Sequence, residues 1–344
     1  MNPDWQEFLT RHGATIGAGI VQSFGNTAVE LDAMTQNTVL CDLSQFGTLR
    51  VSGEDSQPFL QNLLSNDIRE VSATRAQFSS FNTAKGRMLS TLLIWRDGDD
   101  YLLQLPRVLC EPLRKKLGMY VLRAKVKITD VGDEIITLGL SGADAQEILR
   151  AQYGELPQQP LGVISSTGSV IKINDTRYLV STPAPDAASL WAALCQRAKP
   201  VGSASWDWLN IRSGIPVILP QTQEQFVAQM VNLELLGGVN FNKGCYPGQE
   251  IVARMQYLGK LKRRMYLAHL DGSDTPQAGD ELFSAEMEGQ ACGMIVNAAP
   301  APGGGHDVLA TVQVSTRETQ AVHWKTLHGG TLEFLPLPYP LPGA

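Results

Sequence analysis

The residues best suited to chemistry in this sequence form one run, Lys243-Gly244-Cys245-Tyr246-Pro247-Gly248-Gln249-Glu250. It gathers an ammonium, a thiol, an amide and a carboxylate between glycines and a proline, the residues that mark a turn rather than a helix interior. Turns that crowd polar side chains at their edge are frequent sites. The plainer alternative is a tight connection whose cysteine is simply buried. Cys245 acts as a nucleophile or a ligand only as its thiolate. Lys243, two residues earlier, and the basic residues downstream would favour that form. Arg254, Lys260, Lys262, Arg263 and Arg264 put five positive charges within residues 251–266, with no acid among them. In a chain of net charge −6 this is a local field that suits an anionic ligand, unless it is an ordinary solvated connection. Gln249 and Glu250 either face inward to hold a ligand or pair outward, Glu250 with Arg254 four residues on.

Other residues stand near this run. Asn232 and Glu234, followed by Gly237-Gly238-Val239-Asn240-Phe241, read as a polar ledge and a strand. If buried they must be paired, either with a ligand or with backbone. Trp206 and Trp208 offer a stacking face for a flat heterocycle, or belong to the core. Arg87, in the turn Thr83-Ala84-Lys85-Gly86-Arg87-Met88, is placed to reach a pocket. The five histidines show no metal spacing, and no nucleophile elbow or phosphate loop is present. The five cysteines lie far apart without Cys-x-x-Cys spacing, so neither a disulfide framework nor a closed metal site is expected. That pattern fits a reducing compartment. With no signal peptide at the start and no stretch of spanning length, a cytoplasmic protein is expected.

The elements that must position these residues follow from patterning. Leu49-Arg50-Val51-Ser52-Gly53-Glu54-Asp55 is echoed by Leu138-Gly139-Leu140-Ser141-Gly142-Ala143-Asp144. Each reads as strand, Ser-Gly turn and helix; this is one structural unit used twice, or a coincidence of favourable capping chemistry. From Thr48 the order is β-α-β-β-β-α-β, close to a ferredoxin-like block over about 47–131. Its second helix, near Arg107–Tyr120, would bury Val108, Leu109, Leu113 and Leu117, with Pro112 as a break point. After Leu261, short apolar pieces alternate with turns, as in a small β-barrel or sandwich. With 344 residues and 43% hydrophobic content, two or three domains are expected.

Taken in order, several motifs resemble the YgfZ family, which includes a mitochondrial iron–sulfur assembly branch. They are the octapeptide, Val51-Ser52-Gly53-x-Asp55, Lys85-Gly86-Arg87-Met88, Gly214-x-Pro216, Pro220-Gln221, Asn232-Leu233 before Gly237-Gly238, and Leu335-Pro336-Leu337-Pro338-Tyr339. The match runs from about Phe46 to the end and leaves the preceding segment uncovered. The family is similar to the T-protein of the glycine-cleavage system, an aminomethyltransferase that uses tetrahydrofolate. The resemblance therefore implies a T-protein-like α+β fold of three lobes around a central cavity, with a folate-binding region over 1–255 in two interleaved lobes and a C-terminal β-barrel over 256–344.

The implied role is binding of tetrahydrofolate, or another reduced folate, in support of the assembly or repair of iron–sulfur proteins, including radical enzymes that thiolate tRNA. It implies a pterin against Trp206, and a second aromatic contact at Phe46, where close relatives carry tryptophan. Arg254, Asn232 and Arg87 complete the expected cofactor set, and Cys245 with Lys243 the reactive one. Iron–sulfur enzymes or cluster carriers are the expected partners, with no membrane and no resident metal. One alternative is a true aminomethyl or methyl transferase, which needs a carboxylate at the pterin, Asp67 or Glu234. Another is an RNA-binding accessory factor acting through Lys260, Lys262, Arg263 and Arg264.

Overall fold

The computed structural model describes residues 1–257 and 261–342, so Lys260 lies outside the described residues. The chain divides into two compact units. The first comprises Met1–Gln61, Ile68–Gln77 and Leu92–Trp206; the second comprises Asn62–Asp67, Phe78–Thr91 and Asp207–Ala344. Both are discontinuous in sequence.

The chain opens with α1 (Pro3–Arg11), β1 (Thr15–Gly17), β2 (Ile20–Ser23), α2 (Thr27–Ala33) and β3 (Val39–Asp42). There follow β4 (Phe46–Ser52), α3 (Ser56–Gln61), β5 (Gln77–Asn82), β6 (Met88–Asp97), β7 (Asp100–Pro106), α4 (Arg107–Val121) and β8 (Lys127–Asp130). The same succession then recurs as β9 (Ile135–Ser141), α5 (Ala145–Tyr153), β10 (Val163–Ser166), β11 (Gly168–Lys172), β12 (Arg177–Pro183), α6 (Ala184–Leu194) and β13 (Lys199–Val201). The two sheets are ordered β5-β6-β7-β4-β8 and β10-β11-β12-β9-β3-β13. Strand for strand they are one ferredoxin-like plan, the second having β3 inserted before its last strand. β3 runs antiparallel to β9, as β8 does to β4, and β13 pairs parallel with β3 on the outside.

The echoed segments are therefore structurally equivalent, and the cause is the glycine rather than capping. Asp144 makes no side-chain cap, and Asp55 bonds the backbone of Lys125 instead. Gly53 and Gly142 sit at φ +111° and +139°. A Cβ there would lie 2.1 Å from the Lys125 carbonyl oxygen and 2.5 Å from Thr38 Cα, respectively. Lys125 leads into β8 and Thr38 into β3, so each glycine admits the neighbouring strand. The core of this unit gathers Leu138, Leu140, Val170, Tyr178, Val180 and Trp191 beneath α1, α5 and α6. Helix α4 runs unbroken through Pro112, and its buried face is Leu109, Cys110, Leu113 and Leu117. Val108, expected on that face, is 59% exposed.

In the second unit, α7 (Ser203–Arg212), which starts within the first unit, leads through irregular chain to α8 (Gln249–Tyr257). The strand expected near Val239–Phe241 is a turn region: the carbonyls of Gly237 and Gly238 accept from the side chains of Asn66 and Ser65, and Asn240 N makes a single backbone bond, to Ser65 O at 3.0 Å. Beyond it lie β14 (Arg263–Leu270), β15 (Glu281–Phe283), β16 (Ala291–Pro300), β17 (His306–Gln313), α9 (Val314–Thr319), β18 (His323–Trp324) and β19 (Glu333–Leu335). They form one sheet, β18-β15-β16-β17-β14-β19, curled as a half-barrel, and backbone bonds from Trp324 N to Gly330 O and from Leu332 N to Val322 O join β18 to the segment that leads into β19. Period-2 alternation splits β14 between two cores. Met265 and Leu267 join Met88, Ile211 and Val231, while Ala268 and Leu270 join Cys292, Val308 and Val322.

Candidate functional site

All eight residues of the run Lys243–Glu250 lie in the second unit, and Lys243, Tyr246 and Gly248 among them are anchored. Lys243 is 5% exposed, and its Nζ donates to the carbonyl oxygens of Leu64 at 2.6 Å and Asn66 at 3.0 Å. The same ammonium stands 5.1 Å from the centre of the Tyr246 ring, a cation–π contact. Tyr246 is buried, and burial pushes its phenol up to about 12. Gly244 and Cys245 between them are exposed. Lys243 is thus a clasp on the 64–66 backbone rather than a surface charge beside the thiol.

The clasped segment is itself a staple. Ser65 Oγ donates to Gly238 O at 2.7 Å, and Asn66 Nδ2 donates to Gly237 O at 2.6 Å and Phe78 O at 2.8 Å. These bonds fix the turn that delivers the chain to Lys243. Sequence reasoning missed Ser65 and Asn66. The available signal was a polar pair immediately after Leu63-Leu64, where an amphipathic helix would have continued.

Gly248 brings in a second motif. It sits at φ +81°, and a Cβ on it would lie 2.3 Å from Gly86 Cα, 2.4 Å from Gly86 N and 2.6 Å from Thr83 O. Gly86, at φ +70°, closes a turn in which Gly86 N donates to Thr83 O and Thr83 N to Arg87 O. The Lys85-Gly86-Arg87 turn and the octapeptide therefore meet backbone to backbone, and only glycine allows that approach. Arg87 is half-buried, and its Nη1 donates to Gln225 O at 2.7 Å. Helix α8 starts directly after Gly248. Gln249 Nε2 turns back to Lys243 O at 3.2 Å, and Gln229 Nε2 holds the helix through Val252 O at 2.7 Å. Glu250 and Arg254 are exposed and, among the described residues, form no ion pair with each other.

The basic strip is not one surface. Arg264 donates through Nη1 to Glu234, to Asn232 Oδ1 at 3.1 Å and to Gln229 O at 3.3 Å. The acid that neutralises it comes from thirty residues upstream. Burial pushes the Glu234 carboxyl up, and the Arg264 charge opposes that shift. Asn232 is fully buried at φ 57°, and its Nδ2 donates to Met265 O at 2.9 Å. Arg263 points the opposite way from Arg264, as neighbours on a strand do, and its Nη2 donates to Ala291 O at 3.2 Å. Lys262 is exposed.

Trp206 and Phe46 belong to the first unit. Trp206 is 3% exposed, with the Arg177 guanidinium 4.2 Å from its ring centre. Gly139 leaves room for its ring, since a Cβ there would lie 2.4 Å from the indole. Burial pushes Arg177 down to about 9. Phe46 is half-buried at the start of β4.

Among the described residues no group of three or more His, Cys, Asp or Glu is placed to hold a metal ion. The thiols differ sharply in access. Cys41, Cys110 and Cys292 are buried, Cys195 is half-buried and Cys245 is exposed. Burial pushes Cys110 up to about 12, and Cys195 and Cys292 to about 11. We expect iodoacetamide at about pH 8 to modify native protein rapidly at a single thiol, because alkylation needs an accessible thiolate. Peptide mapping should find the label on Cys245, and Cys245→Ala should remove the fast phase. A fast phase that persists in that variant would contradict this geometry.

Comparison with known proteins adds to this geometry. A model of the GCVT N-terminal domain matches residues 9–161, so the segment before Phe46 lies inside the resemblance and not outside it. The tRNA-modifying protein YgfZ of Shigella boydii serotype 4 (strain Sb227) is 31% identical over 305 residues, covering 88% of this chain and 93% of that protein. The YgfZ protein of Escherichia coli (strain SE11) shows the same identity and coverage. The crystal structure of glycine cleavage system aminomethyltransferase T from Bartonella henselae superposes with a TM-score of 0.81 over 98% of this chain and 97% of that one. At 17% identity that likeness concerns the fold, which is the expected T-protein-like α+β fold. Sequence identity sustained over nearly the whole length, on that fold, makes this chain a member of the YgfZ family.

Proposed function

We propose that this protein binds a reduced folate and supports tRNA modification by maintaining iron–sulfur enzymes, with Cys245 as its point of contact or transfer. The observation that carries the reading is the mounting of Cys245. It is exposed, while Lys243, Tyr246 and Gly248 around it are clamped into the fold. A structural cysteine would be the buried member of such a turn. The names of the relatives, tRNA-modifying proteins, give the direction.

The residues present fit a pterin by type. In the first unit, Gln77 and Gln104 are buried, and both amide atoms of Gln77 and the Nε2 of Gln104 lack a partner among the described residues. Unpartnered buried amides are rare in a finished fold and suit the amide-like edge of a pterin ring. Trp206 and Phe46 are the aromatic residues assigned to its faces, with Arg177 as the group that shares the Trp206 ring. A bound reduced folate would supply a carrier for a one-carbon unit; the chain's part is to hold and orient it.

Titration with tetrahydrofolate should give saturable quenching of tryptophan fluorescence, weakened at least ten-fold in Trp206→Ala if the ring is a stacking face. No saturation by the wild type would sink the folate reading. In a deletion strain, Cys245→Ala should fail to restore thiolated tRNA. Full restoration would remove Cys245 from the mechanism while leaving folate binding untouched.

A further inference from the structure

Helices α4 and α6 hold the same place in the two copies of the repeated plan, yet they end differently. Each follows directly from a strand whose last residue is proline, Pro106 or Pro183. Aligned there, Cys110 and Leu117 of α4 match Ala187 and Leu194 of α6, and all four are buried. Helix α6 stops at Leu194 after 11 residues, whereas α4 runs one turn further, to Val121, over 15 residues. That turn and the residue after it carry Met119, Tyr120 and Leu122, which are 67%, 44% and 88% exposed. Leu122 stands at φ 44°, a conformation that leucine rarely adopts. Packing of the helix does not call for the extra turn, because the last buried residue of α4 is Leu117.

The same stretch is strongly cationic. Arg114, Lys115, Lys116, Arg123, Lys125 and Lys127 place six positive charges within residues 114–127, with no acid, in a chain of net charge −6. Glu111 takes Arg114 at 2.8 Å and Lys115 at 3.3 Å, and Glu54 takes Lys125 at 2.7 Å. Lys116, Arg123 and Lys127 form no ion pair among the described residues. In the second copy the corresponding residues, 195–198, include no large exposed apolar side chain, and their one cation, Arg197, is paired with Glu147 at 2.8 Å. The repeated plan therefore needs neither the apolar end nor its charges.

Exposed aliphatic side chains among unpaired cations suit a partner that is anionic outside and apolar within. Met119 and Leu122 gain little among the phosphates of a nucleic acid, which rewards flat stacking faces. A rigid protein would need a pocket shaped to this end of the helix. A lipid interface needs none: aliphatic groups enter the acyl boundary, a tyrosine sits at headgroup level, and lysine and arginine meet the lipid phosphates. We propose that the end of α4 is a peripheral docking point for an anionic lipid surface, with Met119 and Leu122 inserted and Lys116, Arg123 and Lys127 on the headgroups. The negative charge of the rest of the chain turns this end toward such a surface. The contact is peripheral, since no described helix is long and apolar enough to cross a membrane. It rests on neither folate binding nor Cys245.

Flotation of the full chain with vesicles tests it. Vesicles of equal parts phosphatidylcholine and phosphatidylglycerol should bind at least ten-fold more tightly than phosphatidylcholine alone, and salt at about 1 M should release the protein. Met119→Ser with Leu122→Gly removes the apolar pair, and Lys116→Gln with Arg123→Gln and Lys127→Gln removes the unpaired charges. Each set should weaken binding at least ten-fold at an unchanged melting temperature, because none of these side chains belongs to the core. Absence of binding to the anionic vesicles, equal binding to both kinds of vesicle, or full binding by the Met119→Ser, Leu122→Gly variant would overturn the proposal. Transfer RNA and polyglutamate serve as other polyanions. If either binds while vesicles do not, and binding is lost with the three charges but kept without the apolar pair, the lipid assignment falls and the patch belongs to that polyanion.

Discussion

Gly248→Ala is expected to destabilise the second unit by about 2–4 kcal/mol and to abolish function, whereas Gly244→Ala, four residues earlier in the same motif, should be nearly neutral. The contrast comes from the surroundings of the two positions. Gly248 sits at φ +81°, which costs a residue with a Cβ about 1 kcal/mol. The added methyl would also meet Gly86 Cα at 2.3 Å and Thr83 O at 2.6 Å, and those atoms are backbone that cannot rotate aside. Overpacking of that kind costs about 1–3 kcal/mol more. A Cβ on Gly244 would meet nothing within 4 Å. Hydrogen exchange across 243–257, with thermal melts of both variants, reads the difference. Equal protection in the two variants would mean that the Gly86–Gly248 approach does not hold the motif. If Gly248→Ala melts as the wild type but fails to restore tRNA modification, the damage is to the position of Cys245 rather than to stability.

The second large effect is expected at Lys243. Lys243→Met keeps the apolar stem and removes the ammonium, leaving the carbonyls of Leu64 and Asn66 without this donor. Each buried group left unsatisfied costs about 1–3 kcal/mol, so a loss of about 2–4 kcal/mol is expected. The measurement must separate two roles. If Lys243 acts as an electrostatic activator of Cys245, alkylation of the folded protein slows and stability changes little. If it is the clasp seen here, stability falls and alkylation of the remaining folded protein is as fast or faster, because the loop loosens around an already exposed thiol. Slowed alkylation with unchanged melting would reject the clasp.

These two residues show where sequence reasoning stops. From type and spacing Lys243 looks like a partner for Cys245, two residues away. In a turn, however, adjacent side chains diverge, and the ammonium finds carbonyls 177 and 179 residues distant. Arg264 looks like part of a run of cations, yet strand alternation turns it away from Arg263, and Glu234 neutralises it. Trp206 reads as a stacking face or, the commoner case, as core, and burial under Arg177 is a property of packing that no local pattern carries. The expected break at Pro112 and strand near Val239 failed for related reasons. Helix α4 is held by the packing of Leu109, Leu113 and Leu117, and the segment near Val239 has its polar groups taken by Ser65 and Asn66.

The sequence by itself determined what local periodicity and backbone chemistry encode. That includes the strand–glycine–helix unit used twice, the short strands of the C-terminal sheet, the sharp turn at Gly248, and, through an ordered set of motifs, the family. Only the tertiary structure decided what depends on partners far along the chain. It inserted β3 into the second copy of the repeated sheet, joined the Gly86 turn to the octapeptide, made Lys243 an anchor and left Cys245 exposed. The physical reason is common to all of these. Alternation and turn propensity act over a few residues, whereas the partner of a buried charge or the neighbour of a glycine is chosen by packing across the whole unit.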